Sequence, residues 1–167
     1  MFREFANWIA ATDLSHTFKV YSDWLIPISQ SIHIISVSVL FTAAILISTR
    51  LLTAANAGRT VSQLTRTLVP WMWGALCVLL LTGAIQTIAE PVRQFVTPVF
   101  WAKMIMIVVV MTMTAVFTIT VRANAPSWDV AASRPPAARL FAITSIVLWV
   151  AIIACGRFIG WTWSFYI

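Results

Sequence analysis

The sequence predicts an all-α integral membrane protein: a four-helix bundle preceded by an amphipathic helix that lies in the membrane interface. Three observations carry this. Apolar residues make up 60% of the 167 positions and charged residues only 10%, where a soluble domain carries about a quarter. Four apolar stretches are each long enough to cross the ~30 Å hydrocarbon core at ~1.5 Å per residue. The Lys and Arg residues sit between those stretches, where topology and anionic headgroups account for them. The mean hydropathy is +0.91, so the net charge of +6 points to membrane lipid as a partner and not to nucleic acid.

Residues 1–22 read as an interfacial segment. Phe2, Phe5, Ile9 and Trp8 can share one helical face, with Arg3, Glu4 and Asn7 elsewhere. Acids interrupt the segment and no continuous apolar run follows it, which excludes a signal peptide. Thr12-Asp13 offers a break, and Leu14 to Tyr21 leads into the first span, at about 23–50. Asp23 stands at its head, where a carboxylate favours a helix N-terminus. Small hydroxyls, Gln30 and His33 alone interrupt its apolar run. The second span, at about 68–89, opens with Pro70, tolerated in a first turn. The third, at about 98–121, again starts on a proline. The fourth, at about 139–163, follows A-N-A-P-S-W-D-V-A-A-S-R-P-P-A-A, the one linker-like piece. No internal repeat is evident, so residues 1–167 read as a single membrane domain. Cys77 and Cys155 fall inside spans without CxxC or metal-type spacing, as packing residues do.

Orientation follows from the cations. The first connection holds Arg50, Arg59 and Arg66, and the third holds Arg122, Arg134 and Arg139. Arg3, Lys19 and Arg93 lie on the opposite side, diluted by Glu4, Asp13, Asp23 and Glu90. The positive-inside bias then makes both long connections cytoplasmic and both termini periplasmic, in a bacterial inner membrane.

An ionisable side chain within a span is costly to insert and therefore a candidate functional residue. His33 lies roughly 13 Å from the outer end of the first helix. Lys103 lies about 8 Å in from Pro98, and Arg157 about 9 Å in from Trp163. Gln86 and Glu90 share a face near the outer end of the second span. Every span thus contributes a polar group to the outer half of the bundle, and the inner half offers almost nothing comparable. A polar pocket between helices is the expectation. Ser29, His33 and Ser36 share one face with Gln30 beside it, and Gly83 lies on the face of Gln86 and Glu90. Gly156 and Gly160 form a small-xxx-small pair beside Arg157, a close-contact signature. Each group also has a plain structural reading. Lys103 and Arg157 can snorkel to headgroups, Glu90 can end a helix, His33 can bond a neighbouring carbonyl, and His16 reads as structural.

Imidazole ligates haem iron, zinc or copper and carries protons. An apolar slot between helices suits haem b, whose propionates need cations near the interface, and Lys103 and Arg157 are placed for that. Trp101, Trp161 and Trp163 either form an aromatic belt or line such a slot. With no second intramembrane His, a haem here is five-coordinate or takes Lys103 or a Met as its second ligand. Copper is the rival, through His33 and Met104, Met106, Met111 and Met113, although residues two apart face different ways and methionines also serve packing.

The motifs Q-S-I-H-I-I-S-V-S-V-L-F with T-R-L-L, P-W-M-W-G with L-L-T-G, F-W-A-K-M, and R-L with L-W-V-A-I-I-A-C-G-R-F-I span nearly the whole chain. Together they resemble an uncharacterised bacterial family of small four-span inner-membrane proteins. More remotely, the layout is similar to HemJ-type protoporphyrinogen oxidases and CopD-like copper-resistance membrane proteins. That similarity implies haem b binding at His33 and at Lys103 within W-A-K-M, with Arg50 matching the R-L that closes the first span. The additional third-span histidines of the HemJ type and the paired histidines of the copper-linked group are missing. The resemblance therefore implies a haem-pocket architecture and not protoporphyrinogen oxidation.

Three readings follow. The first is a haem b-binding membrane protein of redox type, a membrane subunit or electron-transfer partner of a periplasmic oxidoreductase. His33 is its axial ligand, and Lys103 a second ligand or propionate partner. Arg157 is a propionate partner, and Gln30, Gln86 and Glu90 supply hydrogen bonds. The second is a cofactor-free scaffold or accessory subunit in a homo-oligomer or larger complex. The third is a copper-handling protein. A nucleotide enzyme is excluded by the lack of a Gly-rich phosphate loop, and a serine or cysteine hydrolase by the lack of a His–carboxylate pairing.

Overall fold

The computed structural model describes residues 2–53, 58–130 and 136–162. Arg134, counted among the cations, and Trp163, read as the end of the fourth span, lie outside them. The described residues fold into helices. The interfacial segment forms two, α1 (Phe2–Ala10) and α2 (Asp13–Val20). Thr12 separates them as expected: its hydroxyl donates to the Ile9 carbonyl at 2.6 Å and accepts from the Ser15 amide at 3.3 Å, capping α2.

Then come α3 (Ser22–Leu52), α4 (Val61–Ala89), a short α5 (Pro91–Val96), α6 (Pro98–Ala123), a short α7 (Ala125–Asp129) and α8 (Ala137–Thr162). Four of these, α3, α4, α6 and α8, are long and apolar enough to cross a membrane, and between 28% and 39% of their most apolar windows is buried. The remainder is apolar surface: Trp24, Ile35, Leu81, Val108, Ile119 and Val147 all point outward. Such faces need lipid, which makes this a multi-pass membrane protein. Within the spans, Ser36, Thr65, Thr82 and Thr114 donate back to carbonyls one turn earlier at 2.8–2.9 Å. These four hydroxyls are thereby satisfied without water.

Two expectations are corrected. The second spanning helix begins at Val61, because Thr60 and Gln63 form a reciprocal capping box, with Gln63 N to Thr60 Oγ1 at 3.2 Å and Thr60 N to Gln63 Oε1 at 3.0 Å. Pro70 accordingly lies inside the helix and not in its first turn. The linker-like stretch also carries structure: α7 buries Trp128 edge-on against Phe117 of α6 at 5.3 Å, and Phe117 stacks on Phe141 of α8 at 4.3 Å. One buried aromatic among small linker residues closes that end of the bundle.

The spans pack chiefly as α3 on α4, α6 on α8 and α3 on α8. The dense core lies in the half nearer α7, around Leu40, Ala44, Ile47, Met72, Leu76, Val110, Met111, Val121, Ala142 and Trp149. At the opposite end α1 rests on α5. Phe5 meets Phe95 edge-on at 5.4 Å, and Phe2 meets Trp101 at 5.0 Å. The apolar face of α1 thus serves protein packing as well as the interface.

Candidate functional site

The half of the bundle nearer α5 is hollow. A cavity of about 610 Å³ lies between the α3–α4 pair and the α6–α8 pair, with α5 contributing Arg93 and Gln94. That volume suits a small organic ligand or cofactor. Its deep walls are apolar, from Val37, Phe41, Leu79, Ile107 and Ile152, and its α5 end is polar. Gln30, His33, Gln86, Lys103 and Arg157, read from the sequence as separate intramembrane polar groups, all line it. Among the described residues lining it, none is Asp or Glu, so the cavity is cationic.

His33 is half-buried on α3 and bound to α4. Its Nδ1 lies 2.9 Å from Thr82 Oγ1. Thr82 Oγ1 also lies within donating distance of its own helix, 2.8 Å from the Val78 carbonyl and 3.2 Å from that of Leu79. In the tautomer where Thr82 Oγ1 accepts from Nδ1–H, Nε2 keeps its lone pair. Ser29 reinforces the seam by donating to the Thr82 carbonyl at 3.2 Å. The ring packs against α4 at Gly83, where a Cβ would stand at ordinary contact distance, 3.5 Å, from His33 Cε1.

Lys103 belongs to the facing pair. A Cβ at Gly156 of α8 would stand 3.7 Å from Lys103 Nζ, so the ammonium lies where α8 has no side chain. Arg157 follows it, on the exposed margin of the cavity. Among the described residues, neither cation has a carboxylate within ion-pair distance. A Cβ at Gly160 would meet nothing within 4 Å among the described residues, so the Gly156/Gly160 pair opens the cavity wall and is not a helix–helix seam within this chain.

The α4–α5 corner differs. Gln86 lines the cavity, and its Nε2 is buried with no hydrogen-bond partner among the described residues. Glu90 is the residue that ends α4, and it pairs with Arg93 at 2.6 Å outside the cavity lining. Arg93 Nε is again buried and without a partner among the described residues. Arg93 and Gln94 escape a sequence reading because P-V-R-Q-F-V looks like a connection. The available signal was its bracketing by Pro91 and Pro98, each at the first position of a helix.

Some residues are not brought in. Trp101 stands two positions before Lys103, on another side of α6. It lines a separate, more open cleft with Phe2, Arg3, Phe95, Val96 and Pro98, and its Nε1 donates to the Phe95 carbonyl at 3.0 Å. His16 is exposed on α2. Of the third-span methionines Met104 alone lines the cavity, while Met111 is in the core and Met106 packs against it. Among the described residues no three His, Cys, Asp or Glu side chains are grouped to hold a metal ion. The metal donor available in the cavity is one imidazole nitrogen, with an amine and a thioether on facing walls.

Over residues 5–162 the chain matches a family described as a family of unknown function (DUF6644), and it belongs to that family. No curated protein matches it. No solved structure matches it either.

Proposed function

We propose, for this member of a family without an assigned activity, a haem b-binding membrane protein of redox type that serves as membrane subunit or electron-transfer partner of a periplasmic oxidoreductase. The observation that carries this reading is the His33–Thr82 pair, which holds an imidazole, able to ligate through Nε2 in its Nδ1–H tautomer, in the lining of a cavity that is apolar at depth and cationic at its mouth. An iron porphyrin asks for those three features: an imidazole lone pair, apolar walls for the macrocycle, and cations for its acid groups. Haem b, when bound, supplies a one-electron iron couple. His33 would ligate through Nε2, and Thr82 fixes its tautomer and orientation. Lys103 and Arg157 would neutralise a propionate, and Lys103 and Met104 are the available second ligands. The similarity of His33 and of W-A-K-M to haem-binding positions of HemJ-type proteins points the same way.

Arg50, Arg59, Arg66, Arg122 and Arg139 cluster around the end away from α5. The positive-inside bias therefore supports a bacterial inner-membrane location with the cavity toward the periplasm. Copper handling is less well supported, because Met106 and Met111 belong to the core region and not to the cavity.

The test is an oxidised and a reduced absorption spectrum of protein purified in detergent after haem-replete expression, wild type beside His33→Ala. A Soret and an α band lost in the variant are expected. A colourless wild type would sink the reading and turn attention to a cofactor-free subunit of a larger complex.

A further inference from the structure

The cavity has two cationic corners on different helices. One is the α6–α8 corner, where Lys103 and Arg157 lie without a carboxylate among the described residues. The other is the α4–α5 corner of Gln86 and Arg93. Two N–H donors, Gln86 Nε2 and Arg93 Nε, are shielded from water and have no acceptor among the described residues. A buried donor without a partner is costly. Glu90 does not relieve this, because it engages Nη1 of Arg93 at 2.6 Å and leaves Nε unmatched. It does hold one edge of the guanidinium, which restrains the side chain at the cavity. Both donors sit at the ends of flexible side chains, so an acceptor entering this corner is reached by rotation about side-chain bonds alone.

From this we infer that Gln86 and Arg93 form a second carboxylate site, so that the cavity takes an amphiphile bearing two acid groups, one for each corner. The inference rests on the haem reading and deepens it: the two propionates of haem b would be divided between the α6–α8 corner and the α4–α5 corner. Anionic groups are matched to donors that otherwise have nothing to bind, and the apolar body of the ligand faces Val37, Phe41, Ile107 and Ile152. Guanidinium suits the task because its planar fork can hold Glu90 on one edge and a ligand carboxylate on another.

The experiment titrates detergent-purified apoprotein with haem b and with haem b dimethyl ester, reading the Soret band. It uses the wild type, Arg93→Gln, Arg93→Lys, Gln86→Leu and His33→Ala, with circular dichroism to confirm that each variant keeps its helices. The wild type is expected to bind the ester at least tenfold more weakly than the free acid, the loss of charge-assisted hydrogen bonds. Arg93→Gln and Gln86→Leu should each weaken the acid several-fold and leave the ester unchanged. Arg93→Lys should restore part of the loss. If haem binds with a Soret band that needs His33, but Arg93→Gln and Gln86→Leu bind acid and ester as the wild type does, the second carboxylate site is overturned and the haem reading stands. If the wild type does not shift the Soret band from that of free haem in the same detergent, both fall together.

Discussion

At the residue scale the decisive feature is which nitrogen of His33 carries the proton. Where Thr82 gives its one hydroxyl hydrogen to its own helix, it accepts from Nδ1 and leaves Nε2 free to ligate. Outer partners of this kind contribute about 10–100-fold to the affinity of a histidine for a metal. Thr82→Val, nearly the same size but without the oxygen, is therefore expected to lower haem affinity by about tenfold or more. Thr82→Ser should stay close to wild type, and a Soret titration separates the two. Gly156 offers a second check: Gly156→Ala adds a methyl at ordinary contact distance from Lys103 Nζ, 3.7 Å, and should be silent. Gly156→Leu should displace the amine and alter the spectrum. His33, Lys103, Gln86 and Arg157 were legible in the sequence because a polar group inside a long apolar run stands out against the cost of burying it. Arg93 was not, because it lies outside any such run. Trp101 lines a separate cleft because a helix turns a residue two positions away toward another face.

At the scale of elements, the start of α4 is held by more than its own cap. Besides the Thr60–Gln63 box, Asp129 of α7 accepts from the Ser62 amide at 2.9 Å and from the Ser62 hydroxyl at 2.6 Å. Burial raises the Asp129 pKa, but the hydrogen bonds from Ser62, with those of Thr60 and the Val61 amide, outweigh it and hold the carboxyl below its ordinary value of 3.8. A pKa lower in the folded than in the unfolded chain gives stability that is whole above 3.8 and is lost as the pH falls through the depressed value. Asp129→Asn should thus unfold at a lower temperature near neutral pH, by about 1 kcal/mol as for a lost helix cap. It should also lack part of the acid sensitivity that the wild type shows below about pH 4. Thermal unfolding followed by circular dichroism in detergent at several pH values reads both. A Thr-x-x-Gln pattern before an apolar run is a helix start signal. It is masked in this sequence because Arg66 and Gln63 make the first two turns of α4 look like a polar connection. The short α7 was hidden for the opposite reason, since Pro, Ala and Ser around Trp128 resemble a linker until Phe117 is seen to receive the ring.

For the whole molecule, the four spanning helices were visible as hydropathy alone, and their pairing was not, because every span is apolar on all sides and periodicity cannot tell a lipid-facing residue from a core one. Its orientation can be measured directly. In a Cys77→Ser, Cys155→Ser background, a cysteine at exposed Lys19 of α2 should react in intact cells with a membrane-impermeant thiol reagent, and one at exposed Gly58 should not. The reverse labelling would invert the proposed topology. The hollow half has a further consequence, for biogenesis. Its walls come from the first span to enter the membrane and from the last, with His33 on α3 and Gly156 and Arg157 on α8. While the chain is being made, the imidazole therefore waits in a partial enclosure until the final helix arrives. A chain ending before Ala137 should insert three spans yet retain no haem. On the haem reading, loading would follow synthesis, with the arrival of α8 turning a groove into a container.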